Sequence, residues 1–360
     1  MSASAADTGP VDTGPVDTGP VDIGRLQSWM DGEGLGEGPL EDVTRLTGGT
    51  QNILLRFVRS GRPYVLRCPP KNTIADGNKT MQREARVLGA IAQTDVPHAG
   101  LIAACADPEV LGVSFYLMEP VDGFNATVSL PELHAGDPAI RRQMGFAIVD
   151  ASAKLGKVDA FAVGLGDFGR IENFLSRQPS RWKSQLDGYA RFEEWDGADA
   201  LPGVDAIGQW LEQNCPDEFT PGIMHGDYHL ANVMYRNDGP EIAAIVDWEL
   251  ATLGDPLIDL GWLLATWPDP DFPADQMPIK PWDGFPEADE LVEYYAANSS
   301  RDMRGMQWYK VLACYKLGIL LEGTYARAAA GKANRDVGLM LHNQTIFLFQ
   351  RALRWLEGKS

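Results

Sequence analysis

The sequence predicts an α+β fold in two lobes, a small β-rich N-lobe followed by a larger, mainly helical C-lobe. Three observations carry that prediction. Strand-like runs cluster between residues 40 and 120, helical patterns dominate residues 121–360, and one hairpin pattern interrupts those helices near residue 240. The 360 residues fit two domains of about 150 residues each. A composition of 44% hydrophobic and 22% charged residues is that of an ordinary globular protein. A cleft between two such lobes is a usual place for a ligand.

Residues 1–39 read as a disordered acidic repeat tail and linker. "DTGPVDTGPVDTGPVDIG", Asp7 to Gly24, runs one five-residue unit three times, with a lone Val as its apolar member. Such a segment buries too little surface to offset its ordering entropy. The Gly-rich "DGEGLGEGP" follows, and ordered structure is expected from near Leu40.

In the N-lobe, residues 40–120, "NILLRFV" and "PYVLRC" are strand-like and "RSGRP" between them is a hairpin turn. Met81, Ala85, Leu88 and Ile91 recur at helical spacing, which predicts an amphipathic helix over Thr80–Gln93. "VSFYLMEPV", Val113 to Val121, is a further strand that breaks at "EPVDG". The C-lobe, residues 121–360, has helical patterns in "PAIRRQMGFAIVDASAKLGKV", "GVDAIGQWLEQNCP" and "QWYKVLACYKLGILLEGTYARAAAG". Between them "NVMYR", the turn "NDGP" and "EIAAIVDW" predict one hairpin.

A net charge of −19 argues against nucleic-acid binding, which needs a positive footprint. The start of the chain shows no basic region followed by an apolar core, and the most apolar runs are too short or too interrupted to span a bilayer. Four scattered cysteines without a CxxC read as reduced thiols. These features predict a soluble, cytoplasmic protein, and they leave the oligomeric state open.

The chemistry concentrates in "MHGDYHLANVMY", Met224 to Tyr235. His225 and His229 have the spacing of two ligands on one helical face, but the glutamate of an H-E-x-x-H zinc helix is absent and Gly226 weakens any helix there. Only five histidines exist in the whole chain, so a third imidazole ligand has few candidates. Asp227 and Asn232, five apart, fare better because Asp247 follows the apolar strand "IAAIV". Phosphoryl transfer needs one carboxylate to orient the acceptor hydroxyl, and an oxygen ligand plus a second carboxylate to hold Mg²⁺ against the nucleotide phosphates. Asp227, Asn232 and Asp247 supply that set, and oxygen-only ligands suit Mg²⁺ rather than zinc.

Other residues extend the pattern. Asp255 and Asp259 lie among Leu, Ile and Trp, where a carboxylate is costly unless bonded. They read either as a helix cap at Asp255 or as support that fixes the catalytic loop. Gly48, Gly49, Thr50, Gln51 and Asn52 form a Gly-rich turn between two strands that permits a flap over phosphates, although it is not a Walker A loop. Arg67 ends a strand and Glu84 lies in the next helix. A strand cation paired with a helix carboxylate is how protein kinases brace the α/β-phosphates.

Taken together, the chain resembles the aminoglycoside phosphotransferase and choline kinase-like family, which has a protein-kinase-like fold. "HGDYHLANVMY" is similar to that family's catalytic loop and "IVDWELATLGDPLIDLGWLL" to its metal-binding segment. The resemblance covers residues 40–355. It is closest to the subgroup of kinase-like domains linked to acyl-CoA dehydrogenases, through "GGTQN", "YVLRCPP", "REARVL", "GVSFYLMEPVDG", "GLGDFGR", "RQPSRWKSQ" and "HGDYHLAN".

The resemblance implies ATP and Mg²⁺ as cofactors. It makes Asp227 the hydroxyl-orienting base, Asn232 and Asp247 the metal ligands, and Arg67 with Glu84 the ATP brace. It makes Glu119 to Val121 a hinge that meets adenine, and His225 a loop-shaping residue. Arg67 stands where kinases usually carry Lys, Gly156 where relatives usually have His, and "LAN" replaces "LDN" or "LGN".

The expected activity is phosphorylation of a small-molecule hydroxyl, on a hydroxyacyl-CoA-type metabolite, with Arg177, Arg181 and Lys183 as candidates for meeting its phosphates. The alternatives are an aminoglycoside phosphotransferase and a non-catalytic nucleotide-binding pseudokinase.

Overall fold

The computed structural model describes residues 21–46, 52–70, 74–269, 272 and 276–358. The expectations for the repeat upstream of residue 21, and for Gly48, Gly49, Thr50 and Gln51, lie outside the described residues. The chain divides into two compact units, Met1–Gly89 with Ala99–Pro120 and Ala90–His98 with Val121–Ser360.

The first unit contains helix α1 (Ile23–Gly32), strands β1 (Glu41–Arg45), β2 (Ile53–Arg59) and β3 (Arg62–Cys68), helix α2 (Ile74–Ile91), β4 (Leu101–Cys105), the short α3 (Pro108–Leu111) and β5 (Phe115–Met118). The strands make one antiparallel sheet in the order β1-β2-β3-β5-β4. The β2–β3 hairpin turns at Ser60 and Gly61, both with positive φ, the two-residue geometry whose twist matches its flanking strands. Side-chain alternation along β2 sends Ile53, Leu55 and Phe57 into a core shared with Tyr64, Leu66, Phe115 and Leu117.

Helix α1 corrects the expectation that order begins near Leu40. Leu26 and Met30, one helical turn apart, are fully buried in that same core, and Asp22 caps the helix by accepting from the Arg25 N–H at 3.1 Å. Arg59, at the inward register of β2, is itself buried. Its guanidinium donates to the carbonyls of Gly38 (3.2 Å) and Gln27 (3.4 Å) and to the Asp31 carboxylate. A helix of ten residues is marginal alone, so the sheet supplies its stability. Replacing Leu26 with Ala is expected to lower unfolding stability by about 2–5 kcal/mol. Urea unfolding measures this, and an unchanged midpoint would remove α1 from the core.

The second unit holds helices α4 (Glu132–Gly136), α5 (Pro138–Lys157), α6 (Gln178–Asp187) and α7 (Val204–Gln213). Strands β6 (Gly222–Met224), β7 (Val233–Tyr235), β8 (Ile242–Ile245) and β9 (Thr252–Gly254) follow. Helices α8 (Leu257–Thr266), α9 (Ala288–Ala297), α10 (Met306–Ala329) and α11 (Arg335–Leu356) complete it. The predicted hairpin is β7–β8, with Val233 opposite Ile245, and β6 pairs with β9. Helix α8 is buried along nearly its whole length, and α10 packs against α6, α7, α8 and α11. Among the described residues no helix is long and apolar enough to cross a membrane.

Candidate active site

Strand β6 delivers the turn His225–Gly226–Asp227, and everything about that turn is held. Gly226 has φ +87°, and a Cβ there would stand 2.5 Å from the Leu250 carbonyl oxygen, so the position requires glycine. The carboxylate of Asp259, projecting from buried α8, accepts the N–H groups of His225 (2.6 Å) and Gly226 (2.8 Å). Burial pushes the Asp259 carboxyl up, against the pull of His225, the two amides and Lys316. Asp259 is therefore the residue that fixes the loop. Asp255 instead accepts from the Leu257 N–H (3.0 Å) at the start of α8 and from the Tyr309 hydroxyl (2.5 Å).

The two histidines do not converge. His225 Nδ1 accepts from the Asp227 N–H (3.4 Å) and its Nε2 donates to the Val246 carbonyl (2.9 Å), so the ring clamps the turn to the end of β8. This pairing makes Nε2 the donor end of the ring. His229 Nδ1 accepts from the Ala231 N–H (3.2 Å), which turns Nε2–H toward Asp227 Oδ1 at 3.4 Å. His229 thus faces the carboxylate rather than solvent alone. Among the described residues neither histidine belongs to a group of three metal-ligating side chains.

Asn232 closes the loop by donating Nδ2 to the Asp227 carbonyl (2.9 Å) and to Asp227 Oδ2 (3.1 Å), which leaves Oδ1 as its acceptor end. The Asp227 side chain remains 32% exposed, so a ligand can reach it. Burial pushes its carboxyl up, but His229, His225 and Lys316 outweigh burial and hold it below the usual carboxylate range. The group is ionised at neutral pH and suited to accepting a hydrogen bond from a hydroxyl.

Asp247 lies two residues past the end of β8 and adopts φ +67°, a left-handed conformation that a non-glycine residue rarely keeps without a constraint. The Val246 N–H donates to the Asn232 carbonyl (2.9 Å), which ties Asn232, just before β7, to the residue preceding Asp247. Asp247 and Glu249 present carboxylate oxygens within 4.8 Å of each other. The donors Asn232, Asp247 and Glu249 are all oxygens, which fits a hard cation such as Mg²⁺.

In the first unit, Arg67 (β3) and Glu84 (α2) form a buried ion pair, with Nε 2.9 Å from Oε2. Tyr116 of β5 donates its hydroxyl to the same Oε2 at 2.7 Å. Satisfied in this way, a buried pair keeps its geometry at tolerable desolvation cost. Asn52 borders β2. Glu119 donates its N–H to the Gly100 carbonyl (2.8 Å), and its exposed carboxylate meets Arg62 at 3.3 Å. Val121 begins the second segment of the other unit.

Gly156 has a structural reason. Arg301 donates to its carbonyl (2.7 Å) and to that of Thr220 (2.5 Å), and lies 3.7 Å from Asp255. A Cβ at Gly156 would meet Arg301 Nε at 3.3 Å and the Tyr295 hydroxyl at 3.1 Å. The space that a larger side chain would fill is taken by a guanidinium.

Sequence reasoning missed Tyr116, Glu249 and Lys316. Lys316, on α10, donates to the Gly226 carbonyl (3.1 Å) and lies over the rings of Trp262 (4.2 Å) and Trp182 (5.6 Å). Burial lowers its pKa to about 8, against Asp259 and Asp227. The available signal was a lone cation inside the apolar run "LACYKLGILL".

The model of the phosphotransferase enzyme family matches residues 42–309. Mouse acyl-CoA dehydrogenase family member 10 is 28% identical over 304 residues, covering 82% of this chain and 27% of its own length. Chicken acyl-CoA dehydrogenase family member 11 is 28% identical, with 82% and 38% covered. The chain thus spans well under half the length of these relatives. A crystal structure from Ralstonia eutropha, provisionally named an aminoglycoside phosphotransferase, superposes with a TM-score of 0.79 at 29% identity, covering 94% of this chain and 99% of that one. Aminoglycoside phosphotransferase APH(4)-Ia, in a ternary complex with AMP-PNP and hygromycin B, gives a TM-score of 0.57 at 16% identity, over 90% of this chain and 97% of that one. At that identity the likeness shows the kinase-like fold alone.

Proposed function

Since the chain belongs to the phosphotransferase enzyme family, we propose that it transfers the γ-phosphoryl group of ATP to a hydroxyl of a small molecule, a hydroxyacyl-CoA-type metabolite. The observation that carries this reading is the Asp227–Asn232 pair on a turn locked by Asp259. An ionised carboxylate, held by one amide and still reachable, is what an acceptor hydroxyl needs in order to be aimed at phosphorus.

Asp227 takes the hydrogen bond of the acceptor hydroxyl. As the acceptor oxygen bonds to the γ-phosphorus, the bond to the β,γ-bridging oxygen breaks, ADP leaves, and the hydroxyl proton passes to Asp227. Asn232 and Asp247, with Glu249 nearby, would hold Mg²⁺, which when bound neutralises phosphate charge. Arg67, oriented by Glu84 and Tyr116, braces the α/β-phosphates. Arg at this position offers a bidentate fork where Lys would offer a point charge. Glu119 to Val121 meet the adenine through backbone groups. Catalysis is then mostly positioning and electrostatic stabilisation.

The acyl-type acceptor draws support from the relatives' names, which are those of acyl-CoA dehydrogenase family members. The aminoglycoside alternative draws on the hygromycin B complex of a structural neighbour and on the net charge of −19. ATP consumption across hydroxy acids, hydroxyacyl thioesters and aminoglycosides separates the two. Turnover with the acyl compounds is expected, and turnover confined to aminoglycosides would reverse the choice. Thermal stabilisation by ATP–Mg²⁺ without turnover on any acceptor would instead make the protein a nucleotide-binding pseudokinase.

A further inference from the structure

Lys316, one of the groups that keep Asp227 ionised, has Arg181 as a cationic neighbour to which the transfer step gives no role. Lys316 places its ammonium against two indoles and one carbonyl, yet among the described residues no carboxylate lies within 4.0 Å of it. Asp259 from α8 and Asp227 from the turn attract it from farther away, and Arg181 from α6 repels it. An ammonium has three donors, and Gly226 takes one. Lys316 is partly buried, and an ammonium held there without an ion pair is incompletely compensated.

Arg181 lies over the same indole that Lys316 contacts. Its guanidinium is 5.1 Å from the Trp182 ring centroid, and the Lys316 ammonium is 5.6 Å from it on the α10 side. Among the described residues Arg181 makes no ion pair. Arg177, one turn back, is occupied elsewhere: it donates to the Arg170 carbonyl and lies 5.6 Å from the Phe174 ring centroid, and burial and then the repulsion of Arg170 and Arg181 lower its pKa against the pull of Glu172. Two like charges, Lys316 and Arg181, therefore share one indole in a chain whose net charge is −19. Lys183, the third cation expected here from the sequence, does not join them, because it is paired with Asp187 at 2.5 Å and Asp205 at 3.9 Å.

We propose that Lys316 and Arg181 form an anion-recognition site near Asp227 that reads a phosphate or carboxylate carried by the acceptor. This inference rests on the phosphotransferase reading above and names what the acceptor must carry. An anion offsets the repulsion between Lys316 and Arg181 and supplies the ion-pair partner that Lys316 lacks. Arginine adds bidentate bonding to either anion. A polycation such as an aminoglycoside meets the opposite field, so the site selects against it. Because Lys316 loses its proton near pH 8, anion affinity falls as pH rises through that value.

Isothermal titration of the full chain, with saturating AMP-PNP and Mg²⁺ to occupy the nucleotide site, tests this with three probes. Coenzyme A carries phosphates, 3-hydroxybutyrate carries a carboxylate, and kanamycin is a polycation. At pH 7, at least one anionic probe is expected to bind at least tenfold more tightly than kanamycin. Lys316→Met is expected to weaken it about tenfold or more, and Lys316→Arg to retain it. The exposed Arg181→Ala, which poses little risk to folding, is expected to weaken it several-fold.

Anion binding indifferent to both Lys316→Met and Arg181→Ala, or kanamycin binding more tightly than both anions, overturns the proposal. AMP-PNP titrated alone reports on the kinase reading separately. Its failure to bind would remove that reading while leaving any Lys316-dependent anion affinity in place.

Discussion

Replacing Asp227 with Asn is expected to lower phosphoryl transfer by about 10²–10⁴-fold, the usual worth of a positioned general base. Asparagine keeps a carbonyl oxygen for the Asn232 amide, and the backbone bonds of the turn remain. The melting temperature should therefore move by no more than a few degrees. What disappears is the negative charge that His229, His225 and Lys316 hold in the ionised state. Product formation and thermal melting, measured on the same preparation, check both halves. Full turnover in the variant would remove Asp227 from the chemistry.

Asp259→Ala is expected to cost about 3–5 kcal/mol of stability, as when one member of a buried charged group is deleted. Two buried N–H groups, on His225 and Gly226, lose their acceptor, and Lys316 loses one of the two carboxylates that attract it. Because those N–H groups define the turn, transfer should fall with stability even in the fraction that stays folded. Asp259→Asn retains one oxygen but must aim its amide N–H at a donor, so its loss should be smaller and still measurable. Urea unfolding of both variants tests the order wild type, Asn, Ala. Equal stability across the three would mean that the carboxylate does not hold the turn.

Local patterns in the sequence were enough to find the β2–β3 and β7–β8 hairpins, because turn residues and alternation lie within a few positions of each other. Asp227, Asn232 and Asp247 were legible for the same reason. They flank one hairpin, and hydrogen bonds across that hairpin fix two of them. Helix α1 was hidden because its fixing partner, Arg59, lies 28 residues from Asp31 in the chain. Its own ten residues sit between a low-complexity repeat and a Gly-rich link. Lys316 is 90 residues from Gly226, and no spacing rule connects them. Asp255 and Asp259 could be seen as carboxylates needing partners, but which one capped α8 and which one held the turn depended on the direction α8 takes. The role of His229 likewise depended on contacts that its position in the sequence does not show, with Ala231 on one ring nitrogen and Asp227 facing the other.

The central claim is that the chain moves a phosphoryl group from ATP to an acceptor hydroxyl through Asp227. Phosphorus NMR follows both sides of that reaction in one tube. With ATP, Mg²⁺ and hydroxyacyl thioesters, the wild-type protein should convert the γ-phosphate signal into a phosphate monoester signal, and Asp227→Asn should leave the γ-phosphate in place. A monoester that accumulates equally fast with Asp227→Asn, or no monoester with any acceptor although ATP binds, would contradict it.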